Sequence, residues 1–429
     1  MTKIDSWLQK LKDEDLTVKE NAIYSLGELG DMRAVDPLII MLEDPSAIVR
    51  KSAAVALGWL KDKRAVEPLL NYLKNAQADE FSSITYALSE LKDMQAIEPL
   101  IQIMRESESQ QIRKPCIRAL GKLNDKRAII PFLEILTNKE ARDFHIFTSE
   151  ALDRILDEEG IKTLIQAFDY SNEAVKWTAL NKLRQLSEKS FKPLILAIKE
   201  GNGDIRKYSI ITISEMKEIR DIEFLNQFIY DKTLKYYVAI AFGNRGNPKV
   251  LDILIDGLAH SSKWIREHSA LALGILKDKK SIDALIIALK DPEREVRSAA
   301  AFALGELKDE KAIDPLIQTM ISEKGEDWYT KGAYVRETIA KALGEIGGRA
   351  SVPLLTIFEE SKDWNLRFIA AVALASMKHD VGINYLVRGL LQGTLFLQYA
   401  CRRVIKELVK DKKISPEILE KHKYSFRWE

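Results

Sequence analysis

Residues 296–317 read Val-Arg-Ser-Ala-Ala-Ala-Phe-Ala-Leu-Gly-Glu-Leu-Lys-Asp-Glu-Lys-Ala-Ile-Asp-Pro-Leu-Ile. Two helical signatures meet here. Val296 to Leu307 places small and apolar residues three and four apart, the spacing of one helix face. Asp309-Glu310-Lys311-Ala312 then supplies a helix start, because the Asp side chain can accept from the free amides of the first turn. Pro315 follows early in the next helix, where a missing amide costs little. The same order recurs along the chain. The slot of Pro315 is filled at Pro37, Pro68, Pro99, Pro131, Thr163, Pro193, Phe224, Ile253, Ala284, Pro353 and Tyr385, a step of about 31 residues. The interval ending at Pro353 is longer. Its extra residues fall within 322–332 and include Trp328 and Tyr329, a loop where binding residues can collect.

Each unit therefore reads as a helical hairpin. The first helix opens with an Asp, as at Asp62, Asp93 and Asp125. The second follows the pattern of Val49 to Leu60, with small residues such as Ala53 and Ala56. Glycine recurs late in that second helix, at Gly27, Gly58, Gly121, Gly243, Gly274, Gly305 and Gly344. Glycine inside a helix costs about 1 kcal/mol against alanine, so its repetition points to close packing between neighbours. One hairpin cannot bury its apolar face alone, whereas a stack buries a continuous core. The expectation is an all-α fold, an α-solenoid (superhelix) of about 13 stacked hairpins spanning residues 1–410. Residues 411–429 would form a capping helix and an aromatic tail with Tyr424, Phe426 and Trp428.

Composition narrows the function classes. Of 429 residues, 46% are hydrophobic and 30% are charged, which is ample for a core. The 65 basic and 64 acidic residues leave a net charge of +1, which argues against a dedicated nucleic-acid or polybasic membrane binder. Two cysteines, Cys116 and Cys401, make neither a disulfide framework nor a zinc site. The start is charged and lacks an apolar signal core, and no apolar run is long enough to span a bilayer. The expected location is the cytoplasm.

The Asp/Glu-Pro-Leu slot, the Asp44-Pro45 turn, the Val49-Arg50 start and Ala303-Leu304-Gly305-Glu306-Leu307-Lys308-Asp309 resemble HEAT repeats. They are similar to the short class found in phycobilin lyase subunits and many prokaryotic scaffold proteins. The resemblance runs from about residue 12 to 410 and weakens near 145–156, 176–186 and 206–216. It implies the fold and is nearly silent on activity. It also implies that the cation after the Val, as at Lys19, Arg50, Arg266, Arg297 and Arg336, belongs to an internal Asp/Arg ladder tying units together. An acid six residues earlier, as at Asp44 and Asp291, is a candidate partner across the turn.

In such a fold the second helices line the concave side, the usual binding surface. Positions one, five and nine after the cation share its exposed stripe. The middle column is apolar in four successive units, at Ile211, Ile240, Leu271 and Phe302, with Tyr236 and Ile275 beside it. Further on, the stripe holds Glu337, Lys341 and Glu345, then Phe368, Val372 and Ser376. An apolar column facing water suits an amphipathic helix or extended peptide from a partner; the competing reading is that curvature packs it against neighbours. A basic cluster, Lys114, Arg118, Lys122 and Arg154, flanked by Trp59, Tyr86 and Trp177, suits an acidic segment or phosphate, or is a face balanced by Glu150 and Glu90.

No arrangement for catalysis stands out. No histidine precedes a glutamate, so the His-Glu pairs of HEAT-type di-iron hydroxylases are missing, and no Cys-x-x-Cys or phosphate-cradling loop occurs. Glu267, His268 and His260 would at most make a small polar site. The sequence thus favours a non-catalytic scaffold for a protein or peptide partner, with no cofactor. A phycobilin-lyase-like or chaperone role on a chromophore-bearing protein is one alternative. Nucleic-acid binding of the HEAT-like DNA glycosylase type is another, opposed by Glu267, Glu306, Glu337 and Glu345 on the inner stripe.

Overall fold

The Asp-x-x-Ala segments build the start of each hairpin, by a finer device than a plain helix cap. Asp31, Asp62, Asp93, Asp125, Asp278 and Asp309 each accept from the amide two residues on and cap a single 3-10 turn, which then runs into the α-helix. Pro68 lies in the first turn of Val66–Asn75, whose amides lack intrahelical partners anyway. Second helices such as Ala47–Leu60 and Lys263–Leu276 end on a lysine in the left-handed conformation, Lys61 and Lys277. The computed structural model describes residues 2–216, 218–219, 221–323 and 333–415. Among them there are thirteen second helices, from Leu16–Leu29 to Leu395–Lys410, and no strand. Trp328 and Tyr329 of the insertion and Tyr424, Phe426 and Trp428 of the tail lie outside the described residues.

The chain divides into two units, Met1–Thr212 and Ile213–Glu429. In the first unit, Leu16–Leu29, Ala47–Leu60, Phe81–Leu91, Gln110–Leu123 and Arg142–Ile155 lie side by side. The glycines set their spacing. A Cβ on Gly58 would sit 2.9 Å from the Cα of Ala87, and one on Gly121 would sit 2.7 Å from the Cβ of Ala151. The order changes after Arg142–Ile155, where Asp153 takes the glycine slot. The next second helix, Glu173–Leu186, instead lies mainly against the first helix Ile129–Thr137, and Lys182 reaches Asp153 at 2.6 Å.

In the second unit, Lys235–Gly243, Lys263–Leu276, Arg294–Leu307, Ala333–Ile346 and Trp364–Ser376 stack in the same way. Cβ atoms on Gly274 and Gly305 would meet the Cα atoms of Ala303 and Ala342 at 2.9 and 2.7 Å. One hairpin has the 3-10 segment Glu223–Phe228 where the others have an α-helix. Arg245 compensates by donating to the carbonyls of Ile213, Met216 and Ile219 at 3.0, 3.2 and 3.0 Å.

The ladder ties units together, with a different pairing from the one across the turn. Arg266 donates through Nη1 to the carbonyls of His260 and Ser261, closing its own turn, and grips Asp291 of the following hairpin at 2.6 and 3.0 Å. Asp44 likewise pairs with Lys19 of the preceding hairpin at 3.1 Å, while Arg50 takes the Asp44 carbonyl and the Glu80 carboxylate. Arg297 with Glu323 and Arg336 with Asp363 follow the same rule. Asp44 and Asp291, each six residues before a cation, therefore serve the cation one repeat back.

Candidate peptide-binding site

The apolar column expected at 211–302 does not exist as one surface. Ile211 and Ile240 are 3% and 1% exposed and belong to the core. The reason lies in their helices. Gly203–Glu215 also buries Ile205, Tyr208, Ile210 and Ile213, and Lys235–Gly243 buries every residue from Val238 to Gly243. A helix apolar around most of its circumference is covered on more than one side. Tyr236 is half-buried and tied down: its hydroxyl donates to Asp256 at 2.6 Å and its ring meets His260 edge-on. Phe368, Val372 and Ser376, expected on the stripe, are buried as well.

Lys263–Leu276 and Arg294–Leu307 are amphipathic, and they keep the column open. Phe302 is 42% and Ile275 47% exposed, and Leu271 is half-buried. Leu271 and Phe302 line a cavity of about 520 Å³ within the second unit. Val372, Val404 and Leu408 continue its apolar floor.

The cavity is closed at one end by a contact that skips a repeat. Leu395–Lys410 reaches past its neighbour Trp364–Ser376 to Ala333–Ile346. Arg403 pairs with Glu337, Lys341 with Glu407 at 3.0 Å, and Lys413 with Glu345 at 2.8 Å. This explains why Trp364–Ser376 is buried on the stripe side.

Seven carboxylates line the cavity: Glu267, Glu295, Glu306, Glu337, Glu345, Glu407 and Asp411. Most are matched. Glu306 holds Lys277 at 2.7 Å, Glu345 also holds Lys308 at 2.7 Å, and Glu295 takes Arg294 at 2.9 Å. Hydrogen bonds from Lys308 and Lys413 keep the Glu345 carboxyl below its usual range. Burial pushes Glu337 up, against the pull of Arg403. Glu267 stands apart. It is half-buried and has no ion-pair or hydrogen-bond partner among the described residues. Burial, then the neighbouring Glu295, push its carboxyl upward.

The basic cluster sits in the first unit, where Arg118, Lys122 and Arg154, but not Lys114, line a smaller cavity of about 320 Å³ with Tyr86, Phe147 and Glu150. Lys114 and Arg118 lie over the Phe147 ring at 4.9 and 5.0 Å. Lys122 covers Tyr86 and pairs with Glu90, which Lys61 also approaches at 3.5 Å. Arg118 and Arg154 have no carboxylate partner among the described residues. Trp59 donates to the Tyr86 hydroxyl at 3.1 Å, while Trp177 packs edge-on against Tyr208 and does not line this cavity.

Glu267, His260 and His268 do not come together as a polar site. His260 accepts from the Ser262 amide through Nδ1, and His268 stacks on Trp264 with its Nδ1 2.9 Å from the Trp264 carbonyl oxygen. Among the described residues no group of three His, Cys, Asp or Glu could hold a metal ion, and no helix is long and apolar enough to cross a membrane.

Repeated hairpins, interlocked glycines and a repeat-to-repeat ladder define an all-α repeat protein. HEAT repeats match at residues 4–89, 222–294, 282–356 and 332–402, which together make up more than half of the chain, and the chain belongs to that family. The unmatched middle contains the stretch where the stacking order changes. No curated protein matches the sequence. Among solved structures, human deoxyhypusine hydroxylase in complex with glycerol is 20% identical, covers 71% of this chain and 96% of its own, and has a TM-score of 0.26. Kap121p bound to Nup53p is 14% identical with a TM-score of 0.43; the match covers 90% of this chain and 46% of Kap121p, so the chain spans about half of that protein. Kap95p with RanGDP is 12% identical with a TM-score of 0.39, over 98% of this chain and 69% of the other. These likenesses do not bear on activity.

Proposed function

We propose that the chain is a non-catalytic scaffold that holds a polypeptide segment against its second helices, in the cavity of the second unit. The supporting observation is the solvent-facing apolar surface of Phe302 and Leu271 inside that cavity. Because Phe302 and Leu271 are already more than half covered, shielding the rest of either is worth about 1 kcal/mol, and a cavity of about 520 Å³ admits side chains of a peptide and little more. The surrounding ion pairs hold its walls without filling it.

A photo-crosslinking side chain at position 302 tests this reading. It should capture a discrete polypeptide from extract of the source cells. The same probe at Ile287, which is 72% exposed and outside the cavity, should not. Identical capture at both positions refutes the assignment. Leu271→Asp with Phe302→Asp should abolish capture by probes elsewhere on the face and preserve helical content.

We also propose that the first unit, taken by itself, holds an acidic segment. The unmatched guanidinium groups of Arg118 and Arg154 in one aromatic-lined cavity carry that reading. Arg118→Glu with Arg154→Glu should weaken binding of an acidic peptide, more so at low salt.

A further inference from the structure

Glu267 poses a question that the other half-buried carboxylates of the cavity do not, Asp411 being exposed. A carboxylate withdrawn from water without a partner is costly, and its neighbours Glu306, Glu337, Glu345 and Glu407 all have cations of their own. Lys263, one turn earlier on the same helix, attracts Glu267 through space without pairing with it, since its ion pair is with Glu293 at 3.5 Å. Glu267 lies one helical turn from Leu271 and shares the cavity with Phe302. A charged acceptor and two apolar surfaces thus converge on one volume.

We propose that Glu267 is the anchor for a guanidinium or ammonium group, and that the occupant is a partner segment carrying Arg or Lys beside a large apolar side chain. The apolar side chain covers Phe302 and Leu271, and the cation completes Glu267. An acidic or uncharged polar segment would leave Glu267 unmatched and add a second buried cost. The ligand chemistry rests on the peptide-binding reading above.

Fluorescence anisotropy with defined probes tests it on the full chain. One labelled peptide carries arginine flanked by leucine and tryptophan; its twin carries citrulline, which keeps the shape and loses the charge. The chain should bind the arginine peptide at least about tenfold more tightly, the value of a charge-assisted bond to a matched group. Glu267→Gln should erase that preference and leave the citrulline peptide unaffected. Glu310→Gln, outside the cavity and facing Arg349 at 3.6 Å, should keep the preference. Preference surviving Glu267→Gln, or lost equally in Glu310→Gln, overturns the assignment of the cation anchor. Phe302→Asp reports on the parent reading instead: if wild type binds neither peptide, or if Phe302→Asp binds both as wild type does, the cavity is not a peptide site.

Discussion

Replacing Arg266 with methionine probes the bond that holds two walls of the cavity together. Arg266 makes two contacts to Asp291 and two to backbone carbonyls, and the two side chains are only 13% and 8% exposed. Methionine keeps most of the volume and abandons all four contacts. Asp291 is then buried with only the Glu293 amide, at 2.9 Å, as a partner. Removing one member of a buried pair costs about 3–5 kcal/mol; because neither residue is fully sealed, about 3 kcal/mol is the expected loss. In a repeat array that loss falls on one interface between neighbours, and 3 kcal/mol weakens the coupling there by roughly a hundredfold. Urea denaturation followed by circular dichroism should shift its midpoint downward and broaden. Hydrogen exchange should localise faster opening to residues 263–307. A second substitution, Asp291→Leu, should recover most of the loss, since a packed apolar pair replaces a buried ion pair at little cost. The deficit also depends on pH. In the native chain burial raises the Asp291 carboxyl, but bonds from Arg266 and the Glu293 amide overcome this and hold it below the ordinary range. Its stabilisation is therefore full above about pH 4 and is lost as pH falls through the lowered value. In Arg266→Met burial is opposed only by the Glu293 amide and the more distant Arg297, so the carboxyl is less depressed than in the native chain, and the deficit shrinks on acidification. An unchanged midpoint for Arg266→Met, or no recovery with Asp291→Leu, would refute the ladder as a source of coupling.

Other expectations follow from single positions. Lys92 ends Phe81–Leu91 at φ 50° with no ion-pair partner among the described residues; Lys92→Gly should raise stability by about 0.5–1 kcal/mol, read from thermal melts. Gly274→Val should destabilise by about 1–3 kcal/mol, because its Cβ would meet the backbone of the next helix at 2.9 Å. Gly203→Ala, with nothing within 4 Å of the new atom, should stay within about 0.5 kcal/mol. Burial pushes the Cys116 and Cys401 thiols up to about 12. A thiol-specific chromogenic reagent should react with neither in the folded chain at neutral pH and with both in urea.

Much of this architecture is legible in the sequence, for a physical reason. Each hairpin meets a copy of itself, so the same contact demands the same residue at each step, as Gly58 against Ala87 and Gly274 against Ala303 demonstrate. The ladder is half legible. Asp44 lies near Arg50 along the chain and far from Lys19, yet it pairs with Lys19, because turn geometry and not separation decides which cation it faces. The burial of Ile240 was also within reach. Choosing one stripe of Lys235–Gly243 conceals that its other faces are equally apolar. By contrast, the cavity depends on Arg403 reaching Glu337 across an intervening repeat, and nothing in a nearest-neighbour pattern encodes such a bridge. Glu267 and Glu337 could be placed on the inner stripe, but which of them lacks a partner is set by that tertiary closure.

The ladder has a direction where it runs on ion pairs, Lys19, Arg50, Lys176, Arg266, Arg297 and Arg336 each reaching forward to an acid of the following hairpin, and this makes those parts of the chain editable. Excise the hairpin between Gly274 and Gly305, and Arg266 inherits Glu323 just as Gly274 inherits Ala342; duplicate it, and the new seam closes by the same two contacts. Such a protein can lengthen or shorten by whole repeats through recombination without inventing an interface, provided that the terminal bridge of Arg403 and Glu337 stays intact.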